Sequence, residues 1–204
     1  RANVPIVLLD CDLMEAPERS SFDIVRADNQ QGGALLAEHM LRQGCRRIGF
    51  VTNVQDAPAV SERILGYRTV LLKHGINADP AWVLYEQDLQ ASSLKKFIDD
   101  RGLDGLIFKD DHLAAQGCRH LAVMGYRAGV DIKVAGFDDA PAAKLLGVPL
   151  TTIRQPVNDA AANALNLLID RIQNPNQPGR TLLLNCELLI RESTRGPNRI
   201  KAEK

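Results

Sequence analysis

The chain has 204 residues, of which 45% are hydrophobic and 25% charged, and its 25 basic residues balance its 25 acidic ones. This is an ordinary globular composition, which argues against a disordered or fibrous chain. The absence of a basic excess or basic patch argues against direct binding to nucleic acid. At this length we expect either one large α/β domain or two lobes of about 100 residues each.

We interpret the four cysteines as reduced thiols. No C-x-x-C pair exists for a metal or redox centre, and a chain of this length does not need disulfides for stability. The four are Cys11, Cys45, Cys118 and Cys186. No signal peptide and no apolar run of about 18 residues occurs, so the sequence favours a cytoplasmic protein over an exported or membrane-spanning one. Because Arg1 is not a natural start residue, we expect the chain to be a fragment of a longer protein.

The order of predicted elements indicates βαβ units and a mostly parallel sheet, because short β-branched runs alternate with amphipathic stretches. The predicted strands are residues 4–9, 24–27, 48–51, 82–85, 106–108 and 132–137, with a final extended segment at 181–190. The first predicted helix is capped by Asp28 or Asn29 and ended by Gly44. The later helices are residues 61–74, 92–101, 111–124 and 157–172. The apolar residues predicted to face inward from the helix at 61–74 are Ile64, Leu65, Leu71 and Leu72.

Several polar residues lie just past predicted strands or at the start of the following helix. Open α/β sheets bind ligands there, because strand carboxyl ends and helix N-termini converge at that edge. These residues are Asp10, Arg63, Asp110, Asp111, Asp138 and Asp139. Carboxylates accept hydrogen bonds from hydroxyl groups, while an arginine donates to ring or hydroxyl oxygens. The set therefore suits a sugar or polyol better than an apolar ligand.

Each of these residues also has a structural interpretation. Asp28, Asp111 and Asp139 can cap or flank helices, and Arg63 can be a surface residue paired with Glu62 or Glu38. The adjacent carboxylates of Asp110 and Asp111 resemble a metal-binding or acid/base pair, but no third ligand is suggested nearby. The histidines are scattered, and no nucleophile motif, G-x-G-x-x-G or G-x-x-x-x-G-K-[ST] occurs. We therefore predict no cofactor, no metal and no nucleotide site.

Residues 134–156, VAGFDDAPAAKLLGVPLTTIRQP, are the most informative stretch of the chain. An apolar run ends in two adjacent carboxylates, Asp138 and Asp139, as a buried parallel strand does where it opens into a binding crevice. The later segment P-L-T-T-I-R-Q-P is a short extended piece with a proline at each side. In this order and at this separation, the two pieces resemble the effector-binding core of the lactose/galactose repressor family of bacterial transcription regulators.

The resemblance extends over nearly the whole chain, from about residue 4 to residue 194. Matching segments are V-P-I-V-L-L-D from residue 4, R-A-D-N-Q-Q-G-G-A from residue 26, S-E-R-I-L-G-Y from residue 61 and I-R-E-S-T from residue 190. Two residues depart from the family pattern. Cys45 stands where histidine is usual, and Asp110 stands where asparagine is usual.

The resemblance implies a two-lobed, periplasmic-binding-protein-like α/β fold with parallel sheets flanked by helices. Residues 1–27 and 154–187 would form a partial N-terminal lobe, incomplete in this chain. Residues 28–153 and 188–196 would form the C-terminal lobe, and residues 197–204 a tail. The family's DNA-binding headpiece is expected to be missing. By the matching positions, Asp10, Arg63, Asp110 and Asp138 would face an effector in the cleft between lobes, with Asp28 a weaker candidate.

By the same resemblance, the chain is the effector-sensing and dimerisation domain of a sugar-responsive regulator without catalytic activity. It would form a homodimer, contact no membrane, and affect operator DNA only through the missing headpiece. The effector is expected to be a neutral sugar or polyol, because the carboxylate of Asp110 would repel a phosphate while Lys109 points away. Two alternatives remain open: a periplasmic sugar-binding protein of a transport system, and a sugar hydrolase or isomerase that uses Asp110 and Asp138.

Overall fold

The structure, a computed structural model, describes residues 4–13, 18, 20–53, 57–77 and 79–196. The chain divides into two compact units, the first formed by residues 1–28 and 155–186 and the second by residues 29–154 and 187–204. The predicted tail at 197–204 lies outside the described residues, as does part of the loop between the first two predicted strands. None of the helices described combines the length and apolar character that crossing a membrane requires. All four cysteines are free thiols.

The helices and strands alternate as the sequence predicts, and the predicted α/β class with parallel sheets flanked by helices is confirmed. The strands are β1 (Val7–Leu9), β2 (Asp23–Ala27), β3 (Ile48–Thr52), β4 (Val83–Tyr85), β5 (Gly105–Phe108), β6 (Lys133–Ala135), β7 (Thr152–Arg154), β8 (Thr181–Leu184) and β9 (Glu187–Leu189). The helices are α1 (Asn29–Arg42), α2 (Pro58–Lys73), α3 (Ala91–Arg101), α4 (Asp111–Val123), α5 (Ala142–Leu145) and α6 (Val157–Gln173).

The first unit contains a three-stranded parallel sheet in the order β1-β2-β8, against which α6 packs. The fully buried carboxylate of Asp23 joins these elements by accepting hydrogen bonds from Arg171 Nε and Arg180 Nε, both at 3.0 Å. Burial alone would raise the pKa of Asp23, but the arginine hydrogen bonds hold it below its ordinary value. The apolar side chains of α6 stay largely uncovered, and none of its residues is buried.

The second unit contains a four-stranded parallel sheet in the order β4-β3-β5-β6 and an antiparallel pair formed by β7 and β9. The strands β3, β5 and β6 are buried throughout, as expected for parallel strands covered on both faces. The residues of one core cluster include Val51, Leu106, Phe108, Val134 and Leu150. Because the parallel strands share one direction, the residues that follow β5 and β6 lie at the same edge of the sheet.

Helices α1 and α2 pack with their backbones in close approach at two glycines. A Cβ atom at Gly33 would lie 2.0 Å from the carbonyl oxygen of Arg63, and one at Gly66 would lie 1.9 Å from that of Gln30. Only glycine fits at such contacts. Gly33, which the sequence places in the first turns of a helix, therefore serves to bring Arg63 close to α1.

The structure differs from the sequence prediction in several respects. Helix α2 begins at Pro58, three residues before the predicted start, and Leu65 and Leu72 are 52% and 61% exposed instead of facing inward. The short helix α5 was not expected. The predicted extended segment at 181–190 is two strands, because β8 pairs with β2 in the first unit and β9 with β7 in the second.

We predict that Gly33→Ala and Gly66→Ala each lower the free energy of unfolding by roughly 1–3 kcal/mol, because the added methyl group forces the two helices apart. The midpoint of urea unfolding measures the effect. Gly147→Ala is the matched control, since a Cβ atom there meets nothing within 4 Å. Equal midpoints for all three variants would contradict the close packing.

Candidate functional site

The structure brings three of the five predicted site residues into one unit. Arg63 on α2, Asp110 after β5 and Asp138 after β6 all belong to the second unit, whereas Asp10 and Asp28 belong to the first. Two of the three, Arg63 and Asp138, are in direct contact, with 3.7 Å between Arg63 NH2 and Asp138 Oδ1. The edge of the sheet where β5 and β6 end is therefore the candidate site.

Arg63 is the central residue of this site and is only 8% exposed, which excludes the interpretation as a surface residue. Its Nε donates to Asn29 Oδ1 at 2.9 Å, and its NH1 donates to the carbonyl oxygen of Lys109. The guanidinium lies over the ring of Phe137, 3.6 Å from the centroid, which is a close cation–π contact. These contacts fix the guanidinium beside the carboxylate of Asp138.

Asp138 and its neighbour Asp139 have backbone conformations that residues other than glycine seldom adopt. Their φ angles are 103° and 51°, and such strain is concentrated at functional sites. The side chain of Asp138 is 37% exposed and so can reach a ligand. Its backbone N–H donates to the carbonyl oxygen of Ile153 at 2.7 Å, which attaches the strained turn to β7.

The carboxylate of Asp139 makes a different set of contacts from that of Asp138. It pairs with Arg191 NH2 at 2.5 Å and with Arg154 at 3.0 Å, and Lys144 Nζ lies 3.9 Å away. Burial would raise the pKa of Asp139, but hydrogen bonds from Arg191 and Arg154 hold it below the ordinary value. Asp139 is thus a structural anion that ties the turn to β7 and to the segment after β9.

Asp110 caps α4 and forms an ion pair with the preceding residue. Its Oδ1 accepts a hydrogen bond from Leu113 N at 2.7 Å, and its Oδ2 contacts Lys109 Nζ. Lys109, which we expected to point away from the site, instead lies against the carboxylate of Asp110. Burial would raise the pKa of Asp110, but the hydrogen bonds from Lys109 and from Leu113 N lower it overall. The negative charge is thus compensated within the site.

Asp111 is fully buried and does not form a metal site with Asp110. Its Oδ1 accepts from Thr152 Oγ1 at 2.7 Å and its Oδ2 from Ala140 N at 2.8 Å, so both oxygens already have protein partners. Burial raises its pKa to about 6 despite these two hydrogen bonds, and the charges of Asp138 and Asp139 add to the increase. Within the described parts of the chain, no group of three His, Cys, Asp or Glu residues could hold a metal ion.

Asp10 and Asp28 lie at strand ends in the first unit. Asp10 follows β1, has a φ angle of 62° and donates its N–H to the carbonyl oxygen of Val25 at 3.0 Å. Asp28 follows β2 and donates its N–H to the carbonyl oxygen of Leu184 at 2.8 Å. Both residues are thus at the carboxyl ends of parallel strands, where the sequence predicts them, and their role as ligand contacts stays a prediction.

Sequence reasoning did not single out Asn29, Phe137 or Thr152 as site residues. Asn29 is one of the two predicted caps of the first helix, and its side-chain oxygen accepts a hydrogen bond from Arg63. Phe137 lies directly before the two aspartates. An aromatic residue beside acidic residues at a strand end could have predicted an arginine stacked on its ring. Thr152 has no such signal, because its contact with Asp111 joins residues 41 positions apart.

We predict opposite effects of pH for Asp111→Asn and Asp110→Asn. The pKa of Asp111 is raised from 3.8 to about 6, so its contribution to stability is fully present below pH 3.8 and is lost as the pH rises through about 6. Asparagine does not titrate, so the stability of Asp111→Asn relative to wild type should rise between pH 4 and 7.5, by on the order of 3 kcal/mol. Urea unfolding at several pH values measures this change.

Asp110→Asn is the control of opposite sign. Because the pKa of Asp110 is lowered, its contribution is present at neutral pH and is lost on acidification, so this variant should lose relative stability as the pH rises. Parallel pH profiles for wild type and both variants would contradict the two assignments.

Comparison with known proteins assigns the chain to a family. The model of the periplasmic binding protein-like domain matches residues 37–194. The HTH-type transcriptional regulator CelR of Thermobifida fusca is 30% identical over 196 residues, which cover 94% of this chain and 57% of that protein. The chain spans 57–59% of the length of the first curated relatives it matches.

Two solved structures are similar in both sequence and fold. A transcriptional regulator CelR–cellobiose complex is 28% identical with a TM-score of 0.82, and the match covers 94% of this chain and 59% of that one. A LacI family transcriptional regulator from Enterococcus faecium with bound ribose is 27% identical with a TM-score of 0.77, covering 92% and 69%. The resemblance to the lactose/galactose repressor family inferred from the motifs is confirmed by these relatives. The chain belongs to the family of periplasmic binding protein-like domains.

Proposed function

We propose that this chain is the effector-sensing and dimerisation part of a sugar-responsive bacterial transcription regulator. The contact between Arg63 and Asp138 carries the proposal, because it presents guanidinium N–H donors and carboxylate acceptors side by side at a sheet edge. Sugar hydroxyl groups both donate and accept hydrogen bonds, so they can use both partners. The structures of two relatives with bound cellobiose and ribose support the same ligand class.

We propose Arg63, Asp110 and Asp138 as effector contacts in the second unit and Asp10 and Asp28 as contacts in the first. In the second unit the charges cancel in pairs, Arg63 with Asp138 and Lys109 with Asp110. A neutral ligand leaves both pairs intact, whereas a phosphate would have to displace a carboxylate from its cation. The balance of charge, rather than a free carboxylate at Asp110, therefore favours a neutral sugar or polyol.

In this proposal, the effector regulates DNA binding by a shift in conformational equilibrium. An effector that binds two arrangements of the intact protein with unequal affinity changes the population of the form that fits the operator. The DNA contacts would come from a headpiece outside this chain, in accord with its net charge of zero. Such a regulator acts in the cytoplasm.

The two alternatives receive less support. A periplasmic sugar-binding protein shares the architecture, but the relatives described above are transcription regulators. An enzyme would need one of the two carboxylates for acid or base chemistry. Asp110 is engaged as a helix cap and in an ion pair, and Asp138 forms an ion pair with a buried arginine, so the charged form of each carboxylate has a cationic partner.

We predict that Arg63→Ala and Asp138→Ala each weaken effector binding by roughly 2–5 kcal/mol, because each variant removes a charged hydrogen-bonding group from the proposed contact with the effector. Calorimetric titration of the full-length protein with ribose and cellobiose measures the loss. Arg127→Ala is the control, since Arg127 pairs with Asp131 in an exposed turn. Unchanged affinity in both site variants would contradict the assignment of Arg63 and Asp138 as effector contacts.

We predict at least tenfold preference for ribose over ribose 5-phosphate, because a phosphate would have to displace the carboxylate of Asp138 or Asp110 from its cation. Two opposite charges 4 Å apart attract each other by about 1–4 kcal/mol, depending on screening. Matched titrations of the full-length protein measure the ratio. The same comparison with Lys109→Met tests whether the positive charge of Lys109 contributes to binding of the phosphorylated sugar. Preference of the wild type for the phosphorylated sugar would refute the neutral-effector assignment.

We predict that the protein is a homodimer, the commonest symmetric assembly, and that the outer face of α2 contributes to the contact. Leu65 and Leu72 lie two helical turns apart and are exposed, so association would remove both from water. Sedimentation at tens of micromolar should show a dimer, and Leu65→Ser with Leu72→Ser should shift it toward monomer. Val157→Ser, on exposed α6, should not. A monomeric wild type would contradict the proposal.

A further inference from the structure

Asp111 connects the turn that carries Asp138 to strand β7. Its backbone N–H donates to the carbonyl oxygen of Phe137 at 2.9 Å, and its two carboxylate oxygens accept from Ala140 N at 2.8 Å and from Thr152 Oγ1 at 2.7 Å. The helix does not use this carboxylate, because Asp110 already caps α4. The buried charge of Asp111 therefore serves the turn and the strand.

The sequence also leaves space for this carboxylate. A Cβ atom at Gly136 would lie 2.2 Å from Asp111 Oδ1, so a larger residue at that position would displace the carboxylate. Gly136 does not have a positive φ angle, so its backbone conformation does not require glycine. Glycine is needed at this position because a side chain would occupy the space of the Asp111 carboxylate. This contact gives a physical reason for glycine in the G-F-D-D segment.

The bonds around Asp111 hold a strained turn in place. The N–H of Asp138 donates to the carbonyl oxygen of Ile153 at 2.7 Å, and the N–H of Asp139 donates to Thr152 Oγ1 at 3.4 Å. Together with the bond from Ala140 N to Asp111, three successive amides of the turn are attached to β7 or to α4. Positive φ angles at two aspartates persist only when surrounding bonds compensate the strain.

We propose that Asp111 is a positioning residue that, through Thr152, holds Asp138 in its ligand-binding conformation and couples the turn to β7. This inference rests on the proposed function where it concerns the ligand. The coupling has a defined direction along the chain, because β7 ends at Arg154 and the chain then enters the first unit. A change in the turn on ligand binding would therefore reach β7 through the hydroxyl of Thr152.

The test measures hydrogen–deuterium exchange of the full chain without ligand. Thr152→Val removes the hydroxyl while keeping the shape, and should speed exchange of the amides at 138–140 by at least roughly fivefold. The variant loses both the hydrogen bond to Asp111 and the acceptor of the Asp139 amide, so the amides at 138 and 140, whose own acceptors remain, report on Asp111. Thr152→Ser restores the hydroxyl and should match wild type. Thr69→Val is the control, since the hydrogen bond from Thr69 Oγ1 to the carbonyl oxygen of Leu65 lies on the exposed face of α2. Asp111→Ala and Gly136→Ala should act like Thr152→Val if they fold.

The proposal would be overturned if the amides at 138–140 exchanged at the wild-type rate in Thr152→Val. It would also be overturned if Thr152→Val and Thr152→Ser accelerated exchange equally. A second arm titrates the full-length variants with ribose and cellobiose, and Thr152→Val should bind at least tenfold more weakly than Thr152→Ser. Faster exchange with unchanged affinity would overturn the positioning role. If wild type binds neither sugar, the proposed effector class fails, and the exchange measurement alone decides whether Asp111 holds the turn.

Discussion

The guanidinium group of Arg63 is the contact on which the candidate site depends. A buried charge is costly unless hydrogen bonds and a counter-ion compensate it. Here the compensation comes from four groups: the side chain of Asn29 at the start of α1, the carbonyl oxygen of Lys109 after β5, and the ring of Phe137 and the carboxylate of Asp138 after β6. Because all four must lie close to one group, Arg63 determines how the ends of β5 and β6 are arranged, and the glycine contacts between α1 and α2 make its position possible.

The two adjacent aspartates lie in different surroundings, and only Asp138 is a proposed ligand contact. Asp138 turns to Arg63 and is accessible to solvent, whereas Asp139 is engaged by Arg154 on β7 and by Arg191 after β9. Arg154 in turn contacts Glu187, the first residue of β9, at 3.0 Å. The proposed ligand contact, Asp138, is thus the sequence neighbour of Asp139, which the arginines on β7 and after β9 engage. We regard this as a spatial connection that makes coupling between ligand binding and the position of β7 possible. The coupling itself is measured by comparing the ligand affinities of two states.

Much of the fold and part of the site follow from local sequence patterns. Alternating apolar runs predict the order of strands and helices, and the rule that ligands bind past parallel strand ends selects Arg63, Asp110 and Asp138. Contacts between distant residues are what the sequence does not reveal. The burial of Asp111 depends on Thr152 and Ala140, and the ion pair of Lys109 with Asp110 depends on a side-chain rotamer. The inward orientation predicted for Leu65 and Leu72 fails for a related reason: helical periodicity identifies an apolar position but not whether another element covers it.

A crystal structure of the full-length protein with whichever of ribose and cellobiose binds more tightly tests the central claim most directly. The account predicts that hydroxyl oxygens of the sugar lie within hydrogen-bond distance, about 3 Å, of both the Arg63 guanidinium and the Asp138 carboxylate. It also predicts that the guanidinium stays over Phe137 in the complex. A sugar bound elsewhere, with neither Arg63 nor Asp138 in contact, would contradict the account.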